Sequence, residues 1–199
     1  MVGSYLPKSD TAEGFYDFVA SQTRTPALRA GALEQYHVCL PPEWKEVLVS
    51  NAKSGNYCQP RCDEATTEVS FGSSTQGTLQ VIIIPTTKLL IAKKYPSLHE
   101  VGDISGILNA ISPAITGSVA VEEEDIVDMQ QIKKNGRDYY EYELFTPYAE
   151  AGSHNLTTVC TSMNYLVMAT ISANEKQWEK SEKILRRVLH SFEVEATKT

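Results

Sequence analysis

Asn135-Gly136 sits between two runs rich in strand-forming residues, 126–133 and 139–145, and no other dipeptide restricts the fold as tightly. Asn and Gly both tolerate positive φ, which a two-residue hairpin turn demands, so the flanking runs are expected to pair antiparallel. The same pattern recurs on either side. Residues 66–71 alternate Thr, Val and Phe with polar side chains and lead through Gly72-Ser73-Ser74-Thr75-Gln76-Gly77 into the apolar run 79–84. Residues 154–162 turn at Met163-Asn164 into 165–172. Tyr36-His37-Val38-Cys39-Leu40 is a further strand, followed across Pro41-Pro42-Glu43-Trp44 by a run at 45–50. Hairpin-linked strands of this kind predict one antiparallel sheet of about six strands.

Two stretches carry a helical period. Leu98, Val101, Ile104, Ile107, Leu108 and Ile111 recur three or four apart, which predicts a helix over 97–111, weakened by Gly102 and Gly106 and ended by Pro113. Near the C-terminus, Asn174 is the expected N-cap and Glu175 opens the first turn. Trp178, Ser181, Leu185, Val188 and Phe192 then trace one face. An antiparallel sheet covered in layers by helices is an α+β fold. Residues 1–33 show little periodicity beyond an amphipathic segment at Gly14-Phe15-Tyr16-Asp17-Phe18-Val19-Ala20, and are read as an N-terminal arm; residues 34–196 are read as the folded domain.

The net charge of −7 excludes a basic face of the kind that neutralises nucleic-acid phosphates. Hydrophobic residues make up 42% of the chain and charged residues 22%, a globular composition. The longest aliphatic run, Val81-Ile82-Ile83-Ile84, is closed by Pro85, far short of the roughly 20 apolar residues a membrane-spanning helix needs. The first residues lack a basic region followed by an apolar one, so no secretory signal is expected there.

Phosphate-loop, dinucleotide-binding, nucleophile-elbow and zinc-protease motifs are all missing from the sequence, and His37, His99, His154 and His190 are scattered over four elements, so no catalytic residue is assigned. A hairpin returns its two ends to one edge, which places His154 near Glu175; one imidazole and one carboxylate make a partial divalent-ion site. The acidic run Glu122-Glu123-Glu124-Asp125 lacks the spacing of a calcium loop and is read as solvated. Asn155-Leu156-Thr157 matches a glycosylation triplet but carries little weight. In Tyr139-Tyr140-Glu141-Tyr142, alternation places Tyr140 and Tyr142 on the core face and leaves Tyr139 for an exposed one.

Four cysteines stand at 39, 58, 62 and 160. Cys58 and Cys62 form the single close pair; zinc needs a second pair, and a thioredoxin-type site has two intervening residues rather than three. A short loop disulfide fits the spacing better than either, and implies a compartment that permits oxidation. Cys39 and Cys160 are expected to be buried thiols.

Several segments taken together resemble the PsbP family. They are Gly136-Arg137-Asp138-Tyr139-Tyr140-Glu141-Tyr142, Gly152-Ser153-His154-Asn155-Leu156-Thr157-Thr158, Ser172-Ala173-Asn174-Glu175-Lys176-Gln177-Trp178 and Ser191-Phe192-Glu193-Val194, with Tyr36 to Trp44 similar to the family's opening strand and its proline-tryptophan turn. The resemblance implies an α-β-α sandwich around the antiparallel sheet and an extrinsic protein of the chloroplast thylakoid lumen, peripheral to the membrane. The family's founding member docks on photosystem II and helps the oxygen-evolving complex retain calcium and chloride. His154 stands where that protein has a metal-binding histidine, and Glu175 where it has an aspartate, so calcium, manganese or zinc at a weak surface site is implied and no cofactor is obligatory. The N-terminal arm differs from the founder's docking arm, and the Asn56 to Cys62 segment is absent from the founder; it resembles a divergent branch that carries such a cysteine pair. A plant lumenal protein is made with a transit peptide longer than anything here, so Met1 is read as a product of processing.

Three functions follow. The first is a non-enzymatic accessory or assembly protein of a photosynthetic membrane complex, photosystem II foremost, docking through its sheet edge and through arm residues Lys8, Arg24 and Arg29. The second is a redox-responsive lumen protein whose Cys58/Cys62 bridge exchanges with a thioredoxin-like partner. The third is a metal-dependent hydrolase at His154 and Glu175.

Overall fold

The computed structural model describes residues 1–60, 62–117 and 120–196, so Arg61, between the paired cysteines, lies outside them. Ten strands and four α-helices follow the order β1 (Tyr16–Val19), α1 (Pro26–Arg29), β2 (Tyr36–Leu40), β3 (Lys45–Glu46), β4 (Thr66–Ser73), β5 (Gly77–Pro85), α2 (Leu98–Val101), α3 (Ile104–Thr116), β6 (Ile126–Lys134), β7 (Arg137–Phe145), β8 (His154–Ser162), β9 (Tyr165–Ala173), α4 (Glu175–Ser191) and β10 (Glu193–Val194). The main sheet is antiparallel in the order β3-β4-β5-β9-β8-β7-β6; β1, β2 and β10 form a second, three-stranded sheet. The fold is α+β, an α-β-α sandwich, as expected, with seven strands in the main sheet where about six were anticipated.

The expected turn at Asn135 and Gly136 is present, with φ of 46° and 82° at the two residues, and it sets the β6–β7 register from Lys134↔Arg137 outward. Period-2 alternation then feeds two cores. On β5 and β9, Leu79, Val81, Ile83, Val167, Ala169 and Ile171 face α4, whose Leu185, Val188 and Leu189 close that side together with Phe192 just beyond the helix and with Tyr36, Phe18 and Trp44. The alternate residues Ile82, Ile84, Leu166 and Met168 join Tyr140, Tyr142 and Leu144 of β7 under α3, with its Ile107, Leu108, Ile111 and Ile115.

Four expectations are corrected. The helix over 97–111 is broken at Gly102, whose extended backbone separates α2 from α3, and Asp103 caps the new start by accepting from the Gly106 N–H. Pro113 does not end α3, which continues to Thr116; the Asn109 carbonyl that a residue at 113 would ordinarily bond takes the Ser112 hydroxyl instead. Tyr139 is fully buried rather than exposed, because β10 crosses over it and the Val194 N–H donates to its hydroxyl. The run at 45–50 is in register with β4 at Lys45 and Glu46 and bonds it once more from the Val47 N–H to the Ser70 carbonyl, after which the chain leaves the sheet with Val47 and Leu48 exposed.

The arm is woven into the larger core: Val2, Phe15, Phe18, Ala20 and Ala27 are all buried there. β8 begins where Gly152, at φ +131°, brings its backbone against Ala173 of β9, leaving 2.9 Å for any Cβ. Gly152→Ala should therefore strain this corner and lower stability by roughly 2 kcal/mol or more, read as a fall in thermal midpoint; an unchanged midpoint would disprove that requirement.

Candidate functional site

His154, the first residue of β8, faces Ala173, the last of β9, and α4 begins two residues later behind a capping box of Asn174 and Gln177. This corner brings His154 and Glu175 together: His154 Nε2 lies 2.9 Å from Glu175 Oε2. The imidazole stacks on the Trp178 indole at 4.5 Å and 4°, with the Phe145 ring 5.0 Å away, and Arg186 lies over the other part of the indole contact at 5.2 Å. The His154 side chain is only 15% exposed while that of Glu175 is 61% exposed. The two ion-ligand candidates are thus neighbours that bond each other, and a divalent ion would have to enter between them. Among the described residues no cluster of three His, Cys, Asp or Glu side chains gathers to hold a metal.

Cys58 and Cys62 are bridged, with Cα atoms 4.8 Å apart; Cys62 is buried and Cys58 half-buried. The bridged loop is tied down where the Tyr165 hydroxyl donates to the Pro60 carbonyl and the Thr67 N–H to the Lys53 carbonyl. Cys39 and Cys160 are free buried thiols, as expected; burial pushes the Cys160 thiol up to about 12, which keeps it unreactive. Asn155 is buried and bonded to Thr146, Gly152 and Ser172, so the glycosylation triplet is structural. In the acidic run, Asp125 is buried and accepts the Glu122 N–H and the Tyr148 hydroxyl.

Of the three arm cations, Lys8 is exposed beside the isolated bridge to Tyr16. Arg24 pairs with Glu46 at 3.0 Å and lies over the Tyr5 and Phe18 rings, and Arg29 donates to the carbonyls of Gln22 and Thr23. Both arginines therefore hold the arm in place as well as presenting charge.

Sequence reasoning missed Glu68. It follows Thr67 at a β-bulge of β4, is only 4% exposed, and both its oxygens accept from the Ala27 N–H of α1 at 3.2 Å. The bulge is what sequence alternation does not show: it turns a carboxylate inward beneath the arm. Burial raises its pKa from 4.5 to about 7, against the lowering effects of the Ala27 N–H and of Arg29; Tyr36 and Tyr165 also feel its charge. A cleft of about 540 Å³ opens at the end of α3, floored by Thr67, Thr78, Gln80 and Ser172 and flanked by Lys53 and Glu150.

The protein is a layered α-β-α sandwich whose polar side chains mostly tie its own elements together, with a small histidine corner at one end of the main sheet. A sequence model described as PsbP matches residues 31–194. The chain is 38% identical over 193 residues to PsbP domain-containing protein 6, chloroplastic, of Arabidopsis thaliana, covering 97% of this chain and 73% of that protein. It is 26% identical over 160 residues to PsbP domain-containing protein 4, chloroplastic, of the same plant, covering 80% of this chain and 55% of that protein. The solution structure of cyanobacterial PsbP from Synechocystis superposes with a TM-score of 0.55 at 17% identity, over 96% of this chain and 99% of the other, and shares the fold. The chain belongs to the PsbP family.

Because Glu68 is more basic folded than unfolded, its protonation stabilises the fold most below pH 4.5, and that contribution is lost as pH rises from 4.5 through 7. Its size is on the order of 3 kcal/mol. Glu68→Gln should flatten thermal stability over this range and exceed wild type at pH 8; parallel pH profiles for the two proteins would refute it.

Proposed function

We propose that this chain is a non-enzymatic extrinsic protein of the chloroplast thylakoid lumen that attaches to a photosynthetic membrane complex and supports its assembly or upkeep, with the oxygen-evolving complex of photosystem II as the foremost partner. The observation that carries this reading is the family match across residues 31–194, together with a chloroplast relative aligned over 97% of the chain. Among the described residues no helix is long and apolar enough to cross a membrane, which accords with peripheral attachment. Docking is through the edge of the sheet and the arm, where Lys8 and Arg29 are exposed and Arg24 and Arg29 also make contacts within the arm and to β3.

Crosslinking mass spectrometry of intact thylakoids tests the reading, since it names partner and docking face together. Crosslinks from the arm to subunits of photosystem II are expected; retention by no thylakoid complex under gentle washing would reject the reading. Lys8→Glu should weaken attachment without altering the melting temperature, whereas Arg24→Gln, which removes the Glu46 pair, should lower both.

Calcium or another divalent ion binds weakly at His154 and Glu175 in this reading, and the 2.9 Å approach of the two side chains supports it. Two protein ligands favour weak binding with most of the ion's coordination left to water. Titration with calcium or manganese should give weak binding that disappears in His154→Ala and in Glu175→Gln; binding unaltered by both removes the assignment.

A redox reading is favoured by one further observation. The bridge between Cys58 and Cys62 directly follows the turn Gly55–Tyr57, which packs against α1 and β4, so opening it loosens a segment next to the arm. Reduction should increase proteolytic cleavage within the arm and loop together; a cleavage pattern that ignores reduction makes the bridge a staple alone.

A further inference from the structure

After β5 the chain turns through Thr86–Leu89 and reaches α2 by a loop that carries Lys88, Leu89, Leu90, Ile91, Ala92, Lys93, Lys94 and Tyr95. Leu90 is 92% exposed and Tyr95 66% exposed. Both occupy the left-handed region, at φ 61° and 51°, a conformation suited to Gly or Asn and unfavourable for a branched or aromatic side chain. The loop is nevertheless held: the Asn164 carbonyl accepts the Thr86 N–H and hydroxyl, and the Asn164 side chain accepts the Tyr95 N–H at 2.9 Å. A strained turn, firmly tethered, thus presents two large apolar side chains to solvent, where the fold gains nothing from them.

The charges carried by the loop itself have one sign. Residues 86–95 contain three lysines and no acid in a chain of net charge −7. Lys88 pairs with Glu64 and Lys93 with Glu100, both surface pairs of little strength, and Lys94 has no ion-pair partner among the described residues. Leucine at a loop tip, tyrosine beside it and lysines between them form the pattern of a segment that enters a bilayer interface: Leu reaches the acyl boundary, Tyr sits at headgroup level and Lys meets lipid anions. A protein hot spot, by contrast, favours Trp, Tyr or Arg in pockets and under-represents Leu. Tyr57, on the bridged loop at the same end of the sheet, is also exposed, as is Lys53 next to it.

We infer that the loop of residues 88–95 is a peripheral membrane-docking element that inserts Leu90 and Tyr95 into an anionic lipid surface while Lys88, Lys93 and Lys94 contact its headgroups. This goes beyond attachment to a protein complex and is tested with lipid alone. The whole chain is floated with vesicles of neutral phosphatidylcholine, and with vesicles in which part of that lipid is replaced by phosphatidylglycerol, at low and at high salt. Flotation is expected with the anionic vesicles at low salt, falling several-fold on neutral vesicles or in high salt. The double variant Leu90→Gly, Tyr95→Asn should bind about ten-fold more weakly and melt at or above the wild-type temperature, because Gly and Asn suit the backbone better. Lys94→Glu should weaken binding about five-fold or more. Absence of flotation by wild type, equal flotation on both lipids, or variants that bind as wild type would each overturn the inference, as would a loop that binds an acidic protein surface and ignores vesicles. The melting temperature separates a lost contact from a lost fold.

Discussion

The pairing of β5 with β9 is the constraint on which the rest of the structure depends. Eight consecutive pairs, from Thr78↔Ser172 to Pro85↔Tyr165, place two nearly continuous apolar strands at the centre of the sheet, and each strand is buried on both faces. Burial of one face already sets the register of a sheet, and burial of both sets it twice over. Here a slip of one residue would exchange Val81 and Ile83 for Ile82 and Ile84 against α4, and would turn Met168 and Leu166 away from α3 at the same time. Both helical layers read the same register, so neither α3 nor α4 can pack until it is correct. The hairpins β4–β5 and β8–β9 deliver that register locally, and the outer strands then add to it.

The arm depends on this centre in turn. Its Phe18 packs against Phe71 of β4 with ring centroids 4.9 Å apart, and Ala27 is anchored by the Glu68 carboxylate rather than by backbone pairing. A buried acid is a poor way to gain stability, since its charged form loses solvation that one N–H bond does not return. It is an effective way to make docking of the arm respond to acidity, because only the neutral form is at ease in the core. The bridged loop lies over the same region, so covalent closure, protonation and the seating of α1 converge on the beginning of β4.

The sequence made the sheet legible where structure is local. Asn135-Gly136, the strand alternation and the Asn174 cap all act through near neighbours, and each is found where it was expected. So is the proximity of His154 to Glu175, since it follows from a hairpin returning to its own start. What alternation alone cannot reveal is which second element covers a face. Tyr139 was taken for an exposed residue because β10, fifty residues later, is invisible from β7. Glu68 was overlooked because a bulge shifts the inside-outside assignment by one residue. Pro113 was assigned to a helix end because the Ser112 side chain that relieves the lost bond is not part of any propensity rule.

The distribution of polar side chains shows which charged groups are committed to holding the fold. Arg186 holds both oxygens of Glu143, at 2.7 and 2.8 Å, and Arg137 joins Glu34 to the carbonyls of Thr161 and Glu195, so the strongest cationic groups bind α4, the 30s segment and the C-terminal strand to the sheet. His154 is stacked and bonded within its own corner. Groups committed in this way fix the geometry of the fold. Large apolar side chains stand exposed in the loops that follow β3 and β5, where Leu48, Tyr57, Leu90 and Tyr95 lie on segments anchored by hydrogen bonds at their bases. Rigid strands hold such loops in place, and in this chain the loop after β5 carries both apolar and cationic side chains at its tip.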